Sequence, residues 1–166
     1  MERDTVAGYS SLQILLHWVI AALVFFQLIF GESMAEAGDA AREGTPVDPT
    51  DAALATAHYW VGIAILVLVA IRLAVRLIGG APHPQTSGTH LFDILAHATH
   101  WLFYALLVAM PISGLAAIYV SPEIGDIHTI GKPVFIVLIA LHVLGALYHQ
   151  FIVKDGTIRR MMVPAK

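Results

Sequence analysis

The chain has no cysteine and few charged residues. Without cysteine it cannot form disulfides, thiolate zinc sites, iron–sulfur clusters or a covalent CxxCH haem attachment. Only 13% of the 166 residues are charged, against about a quarter in soluble domains, while 58% are hydrophobic and the mean hydropathy is +0.76. This composition excludes an ordinary soluble domain and predicts a lipid surrounding, with no nucleic-acid partner. The length predicts one domain over residues 1–166.

Four stretches are long and apolar enough to cross a bilayer, which takes about 20 residues. They cover about residues 11–30, 54–78, 91–119 and 127–153. Spanning backbone must satisfy its own hydrogen bonds, so we expect an all-α, integral membrane four-helix bundle. A cleaved signal peptide is the alternative for the first stretch. Its apolar run is longer than a signal core and contains Gln13, His17 and Gln27, which favours a retained span.

The basic residues are distributed unequally between the two sides of this four-span arrangement. Only Arg42 and Lys132 fall on the second, outer side. The positive-inside rule therefore predicts that both termini are cytoplasmic. The basic residues on the side of the termini are Arg3, Arg72, Arg76, Lys154, Arg159, Arg160 and Lys166.

Histidine is the chemically informative residue, with nine copies in the chain. An ionisable side chain inside a span is costly and usually serves a function in the bundle interior. A hydrogen bond between helices is the alternative explanation for any one of them, but it does not account well for seven. Those in or at the edge of the spans are His17, His58, His97, His100, His128, His142 and His149.

The fourth span places two histidines on one face. His128 and His142 are 14 residues apart, which on a helix is about 40° around the axis and about 21 Å along it. His17 lies at the depth of His142, and His58 at the depth of His128. Two stacked haems with two imidazole ligands each require this arrangement. His149 remains an alternative to His142 as the partner of His17.

A second 14-residue interval separates His58 from Arg72. Arg72 and Arg76 could hold the propionates of the inner haem by charge-assisted hydrogen bonds, although Arg76 is equally well explained as a positive-inside anchor. The glycines inside the spans suit close helix packing or a flat cofactor. They are Gly62, Gly114 and Gly145.

In four segments the sequence resembles the bacterial cytochrome b561 family. They are SLQILLHWVIAALV, then GIAILVLVAIRLAVRL after His58, LAHATHWLFYALLVAMPISGL, and LHVLGALYHQFIVKDGTIRRMM. The resemblance implies a multi-pass protein of the bacterial inner membrane with two non-covalent haems b, passing electrons from an outer donor to membrane quinone. It implies ubiquinone as a substrate and, in some members, superoxide as the donor. By position it implies axial pairs His17 with His142 and His58 with His128, and a quinone site at His100 and His149.

The outer loop from Gly31 to Ala53 bears on the electron donor, because it carries six acidic residues and one basic residue. Negative charge at an entrance slows the approach of an anion such as superoxide and attracts cations. The leading expectation is an oxidoreductase of the superoxide:ubiquinone type. The alternative is an electron-relay subunit whose donor is a basic periplasmic protein docked on this loop. A third hypothesis is a haem-free transporter or scaffold.

Overall fold

The structure, a computed structural model, describes residues 8–80, 82 and 90–165, without the side chains of Leu91 and Phe92. All regular structure in these ranges is helical, which confirms the predicted class. Arg3, Lys166 and most of the inner turn between the second and third spans lie outside the described residues. The elements are α1 (Ser11–Phe30), α2 (Glu32–Glu43), α3 (Pro49–Gly79), α4 (His90–Tyr119), α5 (Ile124–Tyr148) with a π-helical turn (His149–Val153), and α6 (Thr157–Arg160).

Four of these helices are long and apolar enough to cross a membrane, at Ser11–Phe30, Pro49–Gly79, Asp93–Tyr119 and Ile124–Val153. The first coincides with its predicted stretch, while the second begins five residues before the expected residue 54. The reason is a helix cap. Asp48 accepts a hydrogen bond from the Thr50 backbone N–H at 2.7 Å, and Pro49 occupies the first turn. The helix therefore starts before its apolar run does.

The acidic segment after α1, which the sequence suggested to be a loop, is mostly helical. Helix α2 packs against α3 and ends at Gly44, whose left-handed φ of +69° closes the helix. Four of its twelve residues are alanine and three are glutamate, both good helix formers. The alanine and glutamate content was the sequence feature that indicated this helix, which apolar periodicity alone did not reveal.

The spanning helices form a bundle with two distinct ends. Helix α1 packs on α3, α3 on α4, and α4 on α5. At one end Gln13 Nε2 donates to the Gly80 carbonyl at 2.9 Å, and Ala165 N–H donates to the Tyr9 carbonyl at 3.0 Å. This end, where the two ends of the described chain meet, is called the terminal end below. The opposite end carries α2 and the α4–α5 connection and is called the α2 end.

An apolar core lies in the middle of the bundle. Only 6–17% of the residues in the most apolar stretch of each span are buried within the protein, so most of the remaining apolar surface is left to lipid. Val69 is completely buried within this core. The buried members come from all four spanning helices and are Ile20, Val24, Ile65, Val69, Leu107 and Phe135.

Candidate haem sites

At the α2 end, the rings of His58 on α3 and His128 on α5 face each other, with centroids 6.1 Å apart. His128 Nδ1 lies 3.0 Å from the Met110 carbonyl and 3.1 Å from Ser113 Oγ. A carbonyl oxygen only accepts hydrogen bonds, so Nδ1 carries the proton and Nε2 keeps its lone pair. Donation of the other ring N–H to a carbonyl is the usual arrangement for a metal-binding histidine.

Glycines allow these two rings to lie close to the helices. A Cβ added at Gly114 would lie 3.1 Å from His128 Cε1. A Cβ added at Gly31 would lie 2.6 Å from the Gln27 carbonyl oxygen and 3.5 Å from His58 Cε1. Any side chain at Gly31 would therefore collide with the backbone of α1. A role for Gly114 in close packing was expected from its place inside a span. No such role was expected for Gly31, at the end of α1.

At the terminal end, His17 on α1 and His142 on α5 form a second pair, with ring centroids 6.3 Å apart. His100 and Phe103 on α4 approach His142 edge-on, with centroids 5.2 and 5.3 Å from its own. Arg72 extends from α3 toward α1, and its Nη1 donates to the Gln13 carbonyl at 2.9 Å. A guanidinium has five N–H donors, so this bond leaves others for an anionic group.

Both centroid distances fit a single metal ion between the two rings. With two metal–nitrogen bonds of about 2 Å, and each nitrogen about 1.1 Å from its ring centroid, the centroids are about 6 Å apart. The observed 6.1 and 6.3 Å agree with that spacing. The 5.2 Å between His100 and His142 is too short for it. The geometry therefore distinguishes His17 from His100 as the residue opposite His142.

The helix arrangement fits a flat cofactor at each pair. Helix α5 packs closely on α4 but not on α1 or α3. In each pair, the two rings therefore face each other across a gap where a macrocycle can enter. The gap lies between α5 and α1 for His142 and His17, and between α5 and α3 for His128 and His58. Imidazole is a standard axial ligand of haem iron. The residues present fit two haems b, one near each end of the bundle.

His149 does not lie opposite His17 but takes part in a network that closes the C-terminal end of the last span. Its Nδ1 is hydrogen-bonded to Asp155 Oδ2 at 2.5 Å. Asp155 Oδ1 in turn accepts from the Thr157 backbone N–H at 2.9 Å and from its hydroxyl at 2.7 Å. Burial acts to raise the pKa of Asp155, but the hydrogen bonds from Thr157 and His149 outweigh it and lower that pKa.

The two residues predicted for a quinone site are therefore in different surroundings. The Nδ1–H of His100 donates to the Ala96 carbonyl at 2.6 Å, and its ring contacts His142. His149 contacts Tyr148 and Asp155. No ring contact joins His100 and His149, both of which lie in the described range 90–165. The alternative of His149 as partner of His17 is not the arrangement in the structure.

The two basic residues of the α2 end are both engaged in ion pairs. Lys132 Nζ lies 2.5 Å from Glu32 Oε1, and Arg42 pairs with Asp39. The hydrogen bond and the positive charge of Lys132 lower the pKa of Glu32. Neither cation therefore forms a positive patch beside His58 and His128.

Four spanning helices with two opposed histidine pairs are an arrangement that fits a membrane cytochrome of the b type. The sequence matches the family described as prokaryotic cytochrome b561 over residues 8–163, and the chain belongs to that family. This confirms the resemblance found in the sequence. The protein is thus a bacterial membrane oxidoreductase of the b-type cytochromes.

Two curated relatives cover nearly the whole chain. Cytochrome b562 of Cereibacter sphaeroides is 37% identical over 161 residues, which are 95% of this chain and 96% of the relative. The probable superoxide oxidase CybB of Yersinia pestis is 30% identical over 176 aligned positions, covering 93% of this chain and 95% of the relative.

Proposed function

We propose that this protein carries two haems b and passes electrons from a donor at the α2 end to membrane ubiquinone near the terminal end. The observation that carries the proposal is the presence of two histidine pairs of similar spacing, one toward each end, that share helix α5. Bound haem supplies one-electron redox chemistry. The apolar core between the two pairs keeps water out of the middle of the bundle.

Each proposed ligand has a definite role. His58 and His128 hold the haem of the α2 end, and His17 and His142 hold that of the terminal end. Arg72, which already binds the backbone of α1, binds a propionate of the second haem through its remaining N–H groups.

Quinone reduction consumes two protons, and the terminal end has histidines suited to supply them. His149 is fixed through Nδ1 by Asp155, which leaves Nε2 to take up a proton from the cytoplasmic side and pass it to the quinone. His100 lies nearer the haem, against the ring of His142. No ring contact joins the two histidines within the described range 90–165, so each would act on the substrate separately.

The proposed orientation places the terminal end in the cytoplasm of a bacterial inner membrane. Five basic residues within the described ranges lie on this side, namely Arg72, Arg76, Lys154, Arg159 and Arg160. Reporter fusions at the C-terminus test this assignment. A fluorescent protein should be active there and an alkaline phosphatase inactive, and the reverse result would invert the orientation.

For the donor, superoxide is the first candidate, since the relative from Yersinia pestis carries the name probable superoxide oxidase. A basic periplasmic protein is the second, and the ion pairs at the α2 end favour it. Lys132 and Arg42 are neutralised by Glu32 and Asp39. The remaining acidic residues around the entrance would repel an anion and attract a cationic partner.

Stopped-flow haem reduction at increasing ionic strength separates the two donors. Screening acts over about 10 Å at 0.1 M salt. Reduction by superoxide should accelerate with salt as repulsion is screened, and reduction by a basic cytochrome should slow. A fast superoxide reaction that slows with salt would contradict the electrostatic argument.

A pair of matched variants sharpens this measurement. Glu32→Gln removes one negative charge and also releases Lys132, whereas Glu36→Gln removes one negative charge and leaves the ion pair intact. If superoxide is the donor, Glu32→Gln should accelerate its reaction more than Glu36→Gln. Equal effects would show that Lys132 has no part in steering the anion.

The haem count tests the proposal as a whole. A pyridine haemochrome assay should give two non-covalent haems per polypeptide. One haem or none would refute the di-haem assignment.

A further inference from the structure

The two histidines at the α2 end differ in what their Nδ1 atoms contact. Nδ1 of His128 is bonded to the Met110 carbonyl and lies beside the Ser113 hydroxyl. Nδ1 of His58 is enclosed by protein and has no hydrogen-bond partner. An enclosed N–H without an acceptor is costly. Metal-binding histidines almost always donate this N–H to an oxygen.

Gln27 on α1 carries a matching unpaired group. Its Nε2 donates to the backbone carbonyl of His58 at 2.9 Å, while its Oε1 is enclosed and has no partner. The carbonyl of His58 can only accept, which fixes the nitrogen of the amide on that side and the oxygen on the other. Gln27 therefore has an unpaired acceptor, Oε1, and His58, which it already contacts, has an unpaired donor, the Nδ1–H.

The surroundings confine these groups to a small space. A Cβ added at Gly62 would lie 3.4 Å from Gln27 Nε2, and one added at Gly31 would lie 3.7 Å from His58 Nδ1. Both would be ordinary van der Waals contacts, so Gln27 and His58 pack directly against the helix backbones at these glycines. The terminal torsion of a glutamine is broad, so the amide can turn modestly toward Nδ1 without exchanging the positions of its oxygen and nitrogen.

We propose that Gln27 is the positioning residue of His58: its Oε1 accepts the Nδ1–H of His58 and so orients Nε2 toward the iron. The inference rests on the proposed function in taking His58 as a haem ligand. The N–H acceptor makes the imidazole a stronger electron donor, which favours ferric iron and lowers the reduction potential. A purely structural role would instead be limited to the bond between Gln27 Nε2 and the His58 carbonyl.

Two substitutions separate these roles. Gln27→Leu and Gln27→Glu both remove the donor to the His58 carbonyl, but only Gln27→Glu keeps an oxygen acceptor and adds negative charge. The readout is a redox titration of the two haems by visible absorption, with the low-spin signals followed by electron paramagnetic resonance. Gln13→Leu, which changes the other glutamine of α1 at the terminal end, is the matched control.

The expected shifts have opposite signs. Gln27→Leu should raise the potential of the α2-end haem and Gln27→Glu should lower it. If the site's preference for ferric over ferrous haem changes tenfold, the potential shifts by about 59 mV for one electron. The terminal-end haem should keep its potential in both variants. Gln13→Leu should leave the α2-end haem at its native potential.

Shifts of the same sign, or no shift, would overturn the proposal, because both variants lose the same structural bond. If Gln27→Leu loses the α2-end haem, the Gln27→Glu variant decides. Retention of that haem at a lowered potential supports the proposal, and its loss overturns it. Haem stoichiometry of the native protein is measured first. Fewer than two haems in the native protein would refute the proposed function. Two haems in the native protein, with unchanged potentials in the Gln27 variants, would refute only the role of Gln27.

Discussion

Gly114 offers a direct test of the α2-end site, because the close approach of His128 depends on the missing side chain. In Gly114→Ala the new methyl group would lie 3.1 Å from His128 Cε1 and 3.3 Å from its Nδ1. Ordinary carbon contacts are about 3.5–4.0 Å. The ring would have to move away, yet the Met110 carbonyl and Ser113 hold its Nδ1 in place.

The magnitude follows from the cost of overpacking, which is typically about 1–3 kcal/mol. Alanine is also about 1 kcal/mol better than glycine in a helix, but this gain is present with and without haem and cancels from the affinity. Bound haem would hold the His128 ring against the new methyl group, whereas without haem the ring can shift, so the overpacking cost falls mainly on the bound form. With a factor of ten for each 1.4 kcal/mol, the α2-end haem should bind about 5- to 150-fold more weakly. The terminal-end haem should be unaffected.

The assay is haem content and midpoint potential of the purified variant, compared with a control on the same side of the bundle. Gly125→Ala is that control, since its Cβ would meet only the Ala117 side chain at 3.9 Å, an ordinary contact. It should keep both haems. If Gly114→Ala binds both haems as tightly as Gly125→Ala does, the packing argument for His128 is wrong.

Three further predictions address the remaining residues. His17→Ala should remove the terminal-end haem and spare the other, and His128→Ala should do the reverse; difference spectra that lose both signals or neither would contradict the pairing. His149→Ala should slow haem reoxidation by quinone about 100-fold, as loss of a general acid does, while both haems stay bound; loss of a haem would instead make His149 an axial ligand. Since its folded-state pKa is lowered, Asp155 should contribute stability above the ordinary carboxyl pKa of about 3.9 and lose it as the pH falls further. Hydrogen exchange of the C-terminal segment should show native and Asp155→Asn proteins converging below about pH 4, and a constant difference would exclude this linkage.

The sequence by itself determined the class of the protein. The four apolar stretches, the family segments and the 14-residue interval from His128 to His142 are local properties. A helix has fixed rise and rotation per residue, so spacing alone predicts which residues share a face and a depth. That is why His17 and His58 were expected at the depths of His142 and His128, and the structure places the ring centroids of these pairs 6.3 and 6.1 Å apart.

Tertiary structure decided which atoms meet across helices. The choice between His142 and His149 opposite His17 depends on how α1 and α5 are placed, and on Asp155, which takes the Nδ1 of His149. The contacts of Gln27, Gly31 and the two ion pairs at the α2 end likewise join residues that are distant in sequence. Helical periodicity gives the face and the depth of each side chain. Its partner depends on the rotation and separation of neighbouring helices, which are set by packing of the whole bundle.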